Sequence, residues 1–334
     1  MDRKRIVVAL GHRDLGGTLP EQLLKVRESA KMLAELSGRG YALAVVFSNS
    51  PQLGLIHTAM KELRRSDPER YCPTPLFVCS AMSQGFIGYD IQNTLRAELR
   101  RRGSARPVCT ILTQTSVDPY DESFYHPGKL VGKRLSREEA EEEEERGNEV
   151  RALPDGSFQR LVPSPKPREI IELDAVKALL DAGQIVISAG GGGIPVMPQG
   201  AGLRGAAALI EKDLAASLLA RELDAELLLF STGVPELFLH YGTEKEEGLR
   251  RLDSADARRF LSAGEFGEGS MGPKVEAAIE FTESGEGRRA IICQRENALK
   301  ALEGLAGTTI LWEKPVEQKA ETRGSGREHR QERR

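Results

Sequence analysis

The sequence predicts an α/β protein in which a mainly parallel sheet is covered by helices on both faces. Three observations carry this. Apolar runs of strand length recur: IVVAL at 6–10, YALAVVF at 41–47, PLFVCS at 75–80, VCTILTQ at 108–114, QIVISAG at 184–190, AELLLF at 225–230 and AIICQ at 290–294. Segments with helical spacing lie between them, such as EQLLKVRESAKMLAEL at 21–36 and VKALLDAG at 176–183, and this alternation is the pattern of parallel strands joined by crossover helices. The runs are also too continuously apolar for a sheet with one wet face.

The first run opens VVALGHRDLGGTLP at 7–20, which reads as a buried strand, a glycine turn and a helix start, a common way to build an anion cradle. His12 and Arg13 stand where such a cradle would present bare backbone. The segment 133–160 departs from the alternation. In SREEAEEEEERGNEV, Ser136 and Glu139 form a capping box before an acidic helix, and DGSF follows as a hairpin turn. It is expected as a small protruding lid subdomain inserted into the sheet domain, with the glutamate run as a solvated helix face and not a metal site. The main domain is expected over 1–312. The tail at 313–334, EKPVEQKAETRGSGREHRQERR, has almost no apolar side chains and is expected to be disordered.

Composition narrows the function. A net charge of −3 over 334 residues gives no electrostatic footprint for nucleic acid. Cys72, Cys79, Cys109 and Cys293 are scattered with no CxxC pair, which argues for reduced thiols in a cytoplasmic protein and against a disulfide framework or structural zinc site. The apolar run after MDRKR is too short for a signal segment, and no later run approaches a membrane span. The expected partners are small molecules.

The strongest chemical signal is ISAGGGGIPV at 187–196. Glycines Gly190, Gly191, Gly192 and Gly193 directly after a strand free backbone amides and permit positive φ, which lets a loop wrap a phosphate. Alone, a glycine run reads as a flexible turn. Downstream, Lys212 and Asp213 precede a helix in AALIEKDLAASLLA, and Lys274 opens another after the glycine turn in GEGSMGPKVEAAIEF. Lysines at helix starts oppose the macrodipole and gain nothing there as surface decoration. With Lys129 in the loop TQTSVDPYDESFYHPGKLVG, they suggest phosphoryl transfer by cationic charge stabilisation.

These residues resemble the carbamate kinases of the amino acid kinase superfamily. The resemblance runs from about residue 5 to 312. It is carried by AMSQGFIGY at 81–89, VDPYDESFYHPGKLVG at 117–132, RLVPSPKPREIIE at 160–172, GGGGIPV at 190–196, EKDLAASLLA at 211–220, HYGT at 240–243 and GSMGPKV at 269–275. It implies a three-layer αβα sandwich, a homodimer, and a reaction of arginine and nitrogen catabolism. In that reaction ADP, carried with Mg2+, takes the phosphoryl group of carbamoyl phosphate to give ATP and carbamate, or the reverse. It further implies that Lys129, Lys212 and Lys274 surround the transferred group with Asp213 orienting them. Gly11, His12, Arg13, Ser48, Asn49, Ser50 and Gln52 would hold the acceptor. The four glycines, Thr232, Gly233, Tyr241, Met271 and Gly272 would hold the nucleotide.

Three loops depart from the family pattern. Gly-Gly-Asn is Gly11, His12, Arg13; Thr-His-Gly-Asn-Gly-Pro-Gln is VFSNSPQ at 46–52, with Ser48 and Ser50 for glycines; Thr-Asp-Val-Asp is Thr232, Gly233, Val234, Pro235. A side chain at a positive-φ position strains a turn by about 1 kcal/mol or more, so strain is expected at Ser48 and Ser50 unless the loop moved. Arg13 has two readings: a fork for a larger anionic acceptor, or a partner of a carboxylate such as Asp14 or one on the lid. Two functions follow, an active phosphotransferase with an altered acceptor, or an impaired paralogue that binds a nucleotide or metabolite and regulates. A kinase of amino acids or uridylate is weaker, because SQGFIGY, PSP and GSMGPK belong to the carbamate kinase branch.

Overall fold

The computed structural model describes residues 3–267 and 269–313, so the polar tail lies outside the described residues apart from Glu313. Strand β1 (Arg5–Leu10) runs into a 3-10 turn at His12–Asp14 and then into α1 (Leu19–Gly38). Thr18 caps α1 by accepting from the Glu21 amide, and Val26, Ala30, Leu33 and Leu36 bury one stripe of it. Next come β2 (Ala42–Phe47), α2 (Ser50–Ser66) and α3 (Leu76–Arg101). PLFVCS, expected as a strand, is the start of α3. Buried Cys79, Ile87, Ile91, Leu95 and Leu99 continue it at helical spacing, so the long 3.6 period overrides the strand-like look of six residues.

VCTILTQ divides into β3 (Val108–Thr110) and β4 (Gln114–Val117), which enter different sheets. Then follow β5 (Lys129–Leu135), α4 (Arg137–Glu145), β6 (Val150–Ala152), β7 (Phe158–Val162), β8 (Pro167–Ile170), α5 (Leu173–Asp181) and β9 (Ile185–Ile187). The chain continues through β10 (Ile194–Gln199), β11 (Gly202–Gly205), α6 (Lys212–Glu222), β12 (Leu227–Thr232), β13 (Leu237–Leu239), β14 (Glu247–Leu249) and β15 (Arg251–Asp253). It ends with α7 (Ser254–Ser262), α8 (Gly272–Glu283), β16 (Arg289–Gln294), α9 (Ala298–Leu302) and β17 (Thr308–Leu311).

The main sheet has the order β15-β17-β16-β12-β1-β2-β9-β3, and every pair in it is parallel except β16 with β17. Alternate residues divide between two cores. Val7, Ala9, Val46, Phe230 and Ile292 face α5, α6, α7 and α8, whereas Ile6, Val8, Phe47, Leu229 and Ile291 face α1, α3 and α9. Both faces of the central strands are therefore dry, which explains the unbroken apolar runs and makes the molecule the expected three-layer α/β sandwich.

From β1 the sheet is extended on one side by β2 and on the other by β12. The chain leaves β1 for α1 on one face of the sheet and leaves β12 for α7 and α8 on the other, and an open α/β sheet binds ligands in the crevice at such a switch point. All four cysteines are free thiols, and no helix among the described residues is long and apolar enough to cross a membrane.

A smaller antiparallel sheet, β5-β7-β6, carries α4. Its capping box at Ser136 and Glu139 forms as expected, and β6 and β7 make the hairpin across Asp155–Gly156. The sheet begins at Lys129 and ends at Val162, so Lys129 belongs to it. The glutamate run of α4, expected as a solvated face, is solvated only in part. Glu143 is buried and accepts from Lys61 of α2, from Arg146 at 3.2 Å and from Asn148 at 2.8 Å, while Glu142 accepts from Arg65 of α2 at 3.4 Å. The run latches the small subdomain to the main domain.

Burial pushes the Glu143 carboxyl up, but Lys61, Arg160 and Arg146 outweigh it and hold it below the usual range. It therefore binds a proton less readily docked than free, so its contribution is complete above about pH 4.3 and lost as pH falls through the lowered value. Glu143→Gln is expected to weaken docking by about 1–3 kcal/mol, read at pH 7 as amide exchange roughly 5- to 150-fold faster across 137–162 with the main sheet unchanged. Equal exchange in wild type and variant removes the latch.

Candidate functional site

Three loops and two helix starts meet at the carboxyl ends of β1, β2 and β9 around an open cleft. The β1 loop supplies Gly11 and His12, the β2 loop Ser48, Asn49 and Ser50, and the loop after β9 Gly191. The helix starts supply Lys212 with Asp213 and Lys274 with Pro273, and Lys129 enters from β5.

Lys212 is the first residue of α6 and Lys274 lies in the first turn of α8. Both are buried, and both donate to one carboxylate: Lys212 Nζ to Asp213 Oδ1, and Lys274 Nζ to Asp213 Oδ2 at 3.1 Å. Lys274 also donates to the Ser270 carbonyl at 3.0 Å. Burial alone raises the Asp213 carboxyl, yet the two ammonium charges overcome it and hold Asp213 below the usual range. Burial, followed by Lys274 against the opposing pull of Asp213, pushes Lys212 down from the ordinary lysine value. Two cations share one anion at two positive helix ends, so the cluster has spare positive potential toward the cleft.

Lys129 is paired with Glu211, the residue immediately before α6. Glu211 lines the cleft and was not among the residues expected there. Its place beside Lys212 in EKDL was visible, but its pairing to a lysine far back in the chain was not. His12 adds no fixed charge at neutral pH, because burial and the charges of Arg13, Lys274 and Lys212 push its imidazole below the ordinary value.

The glycine loop is packed more than it is open. A β-carbon at Gly190 would lie 2.2 Å from the Phe47 ring, at Gly191 2.1 Å from the Asn49 amide, and at Gly192, with φ +93°, 2.7 Å from the Ile210 carbonyl. The amides of Gly192 and Gly193 donate within the loop to Ala189 and Gly190. Only Gly191 of the four lines the cleft. The run is glycine chiefly because the loop crosses other chain segments at backbone distance.

The acceptor-side residues separate in the same way. Asn49 lines the cleft with its amide nitrogen donating to Ser83 Oγ at 2.8 Å. Gln52 is 3 % exposed and lies outside the lining, donating to the Gly16 carbonyl at 3.0 Å and to Gln22 Oε1 at 2.9 Å. Neither Ser48 nor Ser50 has positive φ, so the expected strain is absent. Here the loop takes an ordinary backbone path, with Asn49 at φ −128°.

Thr232 ends β12 and Gly233 follows it beside the β1 loop, whereas Met271 precedes and Gly272 begins α8. Tyr241 is 65 % exposed and packs on Phe238, outside the cleft lining. Arg13 does not pair with Asp14 or with the small subdomain. Asp14 accepts from the Gly11 amide at 2.9 Å and faces Arg295 at 3.5 Å, and Arg13 Nη1 donates to the Gly233 carbonyl at 3.4 Å.

Known proteins resemble this chain over most of its length. The model of the amino acid kinase family matches residues 4–294. A carbamate kinase-like protein of Escherichia coli (strain K12) is 43 % identical over 308 residues, covering 92 % of this chain and 99 % of its own. The carbamate kinase of Pyrococcus furiosus is 42 % identical over 316 residues, with coverage of 92 % and 99 %. Among solved structures, the carbamate kinase from Giardia lamblia bound to AMP-PNP superposes with a TM-score of 0.84 at 34 % identity, covering 93 % of this chain and 99 % of that one. With a sheet crevice lined by helix-borne lysines and relatives matched over nearly their whole length, this chain belongs to the amino acid kinase family, in its carbamate kinase branch.

Proposed function

We propose that the chain is a carbamate kinase-like phosphotransferase, in which ADP, carried with Mg2+ as substrate, takes the phosphoryl group of carbamoyl phosphate and releases carbamate, or the reverse. The observation that carries this is the sharing of the Asp213 carboxylate by Lys212 and Lys274 at two helix starts, with Lys129, paired to the neighbouring Glu211, lining the same cleft. A terminal ADP phosphate oxygen forms the new bond to phosphorus while the bond from phosphorus to the carbamate oxygen breaks. Charge accumulates on the oxygens of the transferring group, and no proton has to move. Fixed cations are what that transition state requires, and a histidine base is not.

Asp213 holds the two ammonium groups against their mutual repulsion, and Lys129 approaches from the small subdomain. Glycine loop, β12 end and α8 start form the nucleotide side, and the β1 and β2 loops the acceptor side. The relatives named carbamate kinase, one of them solved with AMP-PNP, support this assignment. The resemblance further proposes a homodimer in the cytoplasm. One observation favours the impaired, ligand-binding reading: the Gly11 amide, a natural donor to an acceptor anion, is engaged by Asp14.

Purified protein with ADP, Mg2+ and carbamoyl phosphate is expected to form ATP. Lys129→Ala or Lys212→Ala is expected to lower kcat by about 10²–10³. No ATP at high enzyme concentration, with calorimetric binding of ADP retained, selects the regulatory reading instead.

Asp213→Asn leaves two buried ammonium groups without their counter-charge, and breaking a buried pair costs about 3–5 kcal/mol. Its contribution has a defined sign. Asp213 binds a proton less readily folded than unfolded, so wild type keeps this stability above about pH 4 and loses it as pH falls through the lowered value. The variant is expected to show a lower Tm at pH 7 and a gap from wild type that narrows on acidification. A constant gap contradicts the assignment.

A further inference from the structure

The contact between Arg13 and Gly233 joins two segments far apart in sequence. A β-carbon built on Gly233 would lie 2.3 Å from Arg13 Cδ and 2.5 Å from Nη1, so only glycine lets the side chain rest there. The Gly233 carbonyl already has a shorter donor in Gln294 Nε2 at 3.1 Å, against 3.4 Å for Arg13. Arg13 is therefore not needed to satisfy that oxygen. Its turn is held from beneath, where Asp14 accepts from the Gly11 amide and faces Arg295.

Among the described residues Lys129 has Glu211, and Lys212 and Lys274 have Asp213, but Arg13 has no carboxylate. Arg13 lies close enough to His12 to depress its titration together with Lys274 and Lys212. A planar fork with several free donors, seated at the seam between the β1 and β12 loops next to His12, which lines the cleft, suits a phosphate oxygen.

We infer that Arg13, seated on the backbone of Gly233, is an anion-contact residue that binds a phosphate group of the ligand at the seam of the acceptor and nucleotide loops. Arg13 and Gly233 then form one unit: the glycine is the seat and the arginine the contact. This rests on the phosphotransferase reading for the identity of the ligands, ADP and the acyl phosphate being the two sources of that phosphate that the kinetics distinguish.

The test uses the full chain with Arg13→Ala, Arg13→Lys, Gly233→Ala and the double variant Arg13→Ala with Gly233→Ala. Calorimetry with inorganic pyrophosphate is run beside steady-state kinetics with ADP and carbamoyl phosphate, and Tm reports folding. Arg13→Ala is expected to weaken pyrophosphate binding roughly 10–100-fold with Tm nearly unchanged, and Arg13→Lys to recover part of it. Gly233→Ala is expected to match Arg13→Ala, because the new β-carbon unseats the guanidinium, and the double variant to be no worse than either.

A rise confined to the KM for ADP places the contact on the nucleotide, and one confined to the KM for carbamoyl phosphate places it on the acceptor. If Arg13→Ala binds pyrophosphate and both substrates as wild type does, the side chain only covers Gly233 and the inference falls. If Gly233→Ala is silent where Arg13→Ala is not, the seat is wrong. Wild type that binds pyrophosphate through Arg13 without turnover overturns the phosphotransferase reading and leaves this inference standing.

Discussion

Asp213 lies between two ammonium groups that would otherwise repel each other. Lys212 and Lys274 each sit at the positive end of a helix, and all three side chains are buried. A lysine in that position is unfavourable twice over, from desolvation and from the macrodipole. One carboxylate with an oxygen for each lysine makes it tolerable. The starts of α6 and α8 are thereby tied to a single point above the sheet crevice, and the cleft is shaped around them.

The loops facing that cluster are constrained mainly by packing. The glycine loop passes Phe47, Asn49 and Ile210 at distances that exclude a β-carbon. This wedges it between the β2 loop and the segment leading into α6, so the acceptor side and the lysine side are packed against one another through it. Gln52 contributes from below, linking α2 to Gly16 and Gln22 without reaching the cleft. The serines at 48 and 50 fit because the backbone there has ordinary dihedrals. Departures from a family pattern in a loop need not store strain when the loop takes another path.

Lys129 is supplied by a different mechanical unit. It begins β5 of the small sheet, and the helix α4 that this sheet carries is fastened to α2 by the buried Glu143 with Lys61 and by Glu142 with Arg65. The position of one cation of the site therefore depends on an acidic helix some distance from the chemistry.

The sequence alone determined the layered α/β class, because strands dry on both faces must be apolar throughout and helices covering them must be amphipathic. It determined the helix-start lysines, since Lys212 and Lys274 follow local turn signals, and the capping box at Ser136 and Glu139. It misread PLFVCS, where six residues carry no period of their own and the 26-residue helix they begin decides. Only the tertiary structure decided which charges meet. The pairings of Lys129 with Glu211 and Lys61 with Glu143, and the rest of Arg13 on Gly233, join residues 82, 82 and 220 positions apart. Local propensity acts over a few residues, whereas these contacts are set by how the sheet stacks its loops at one end.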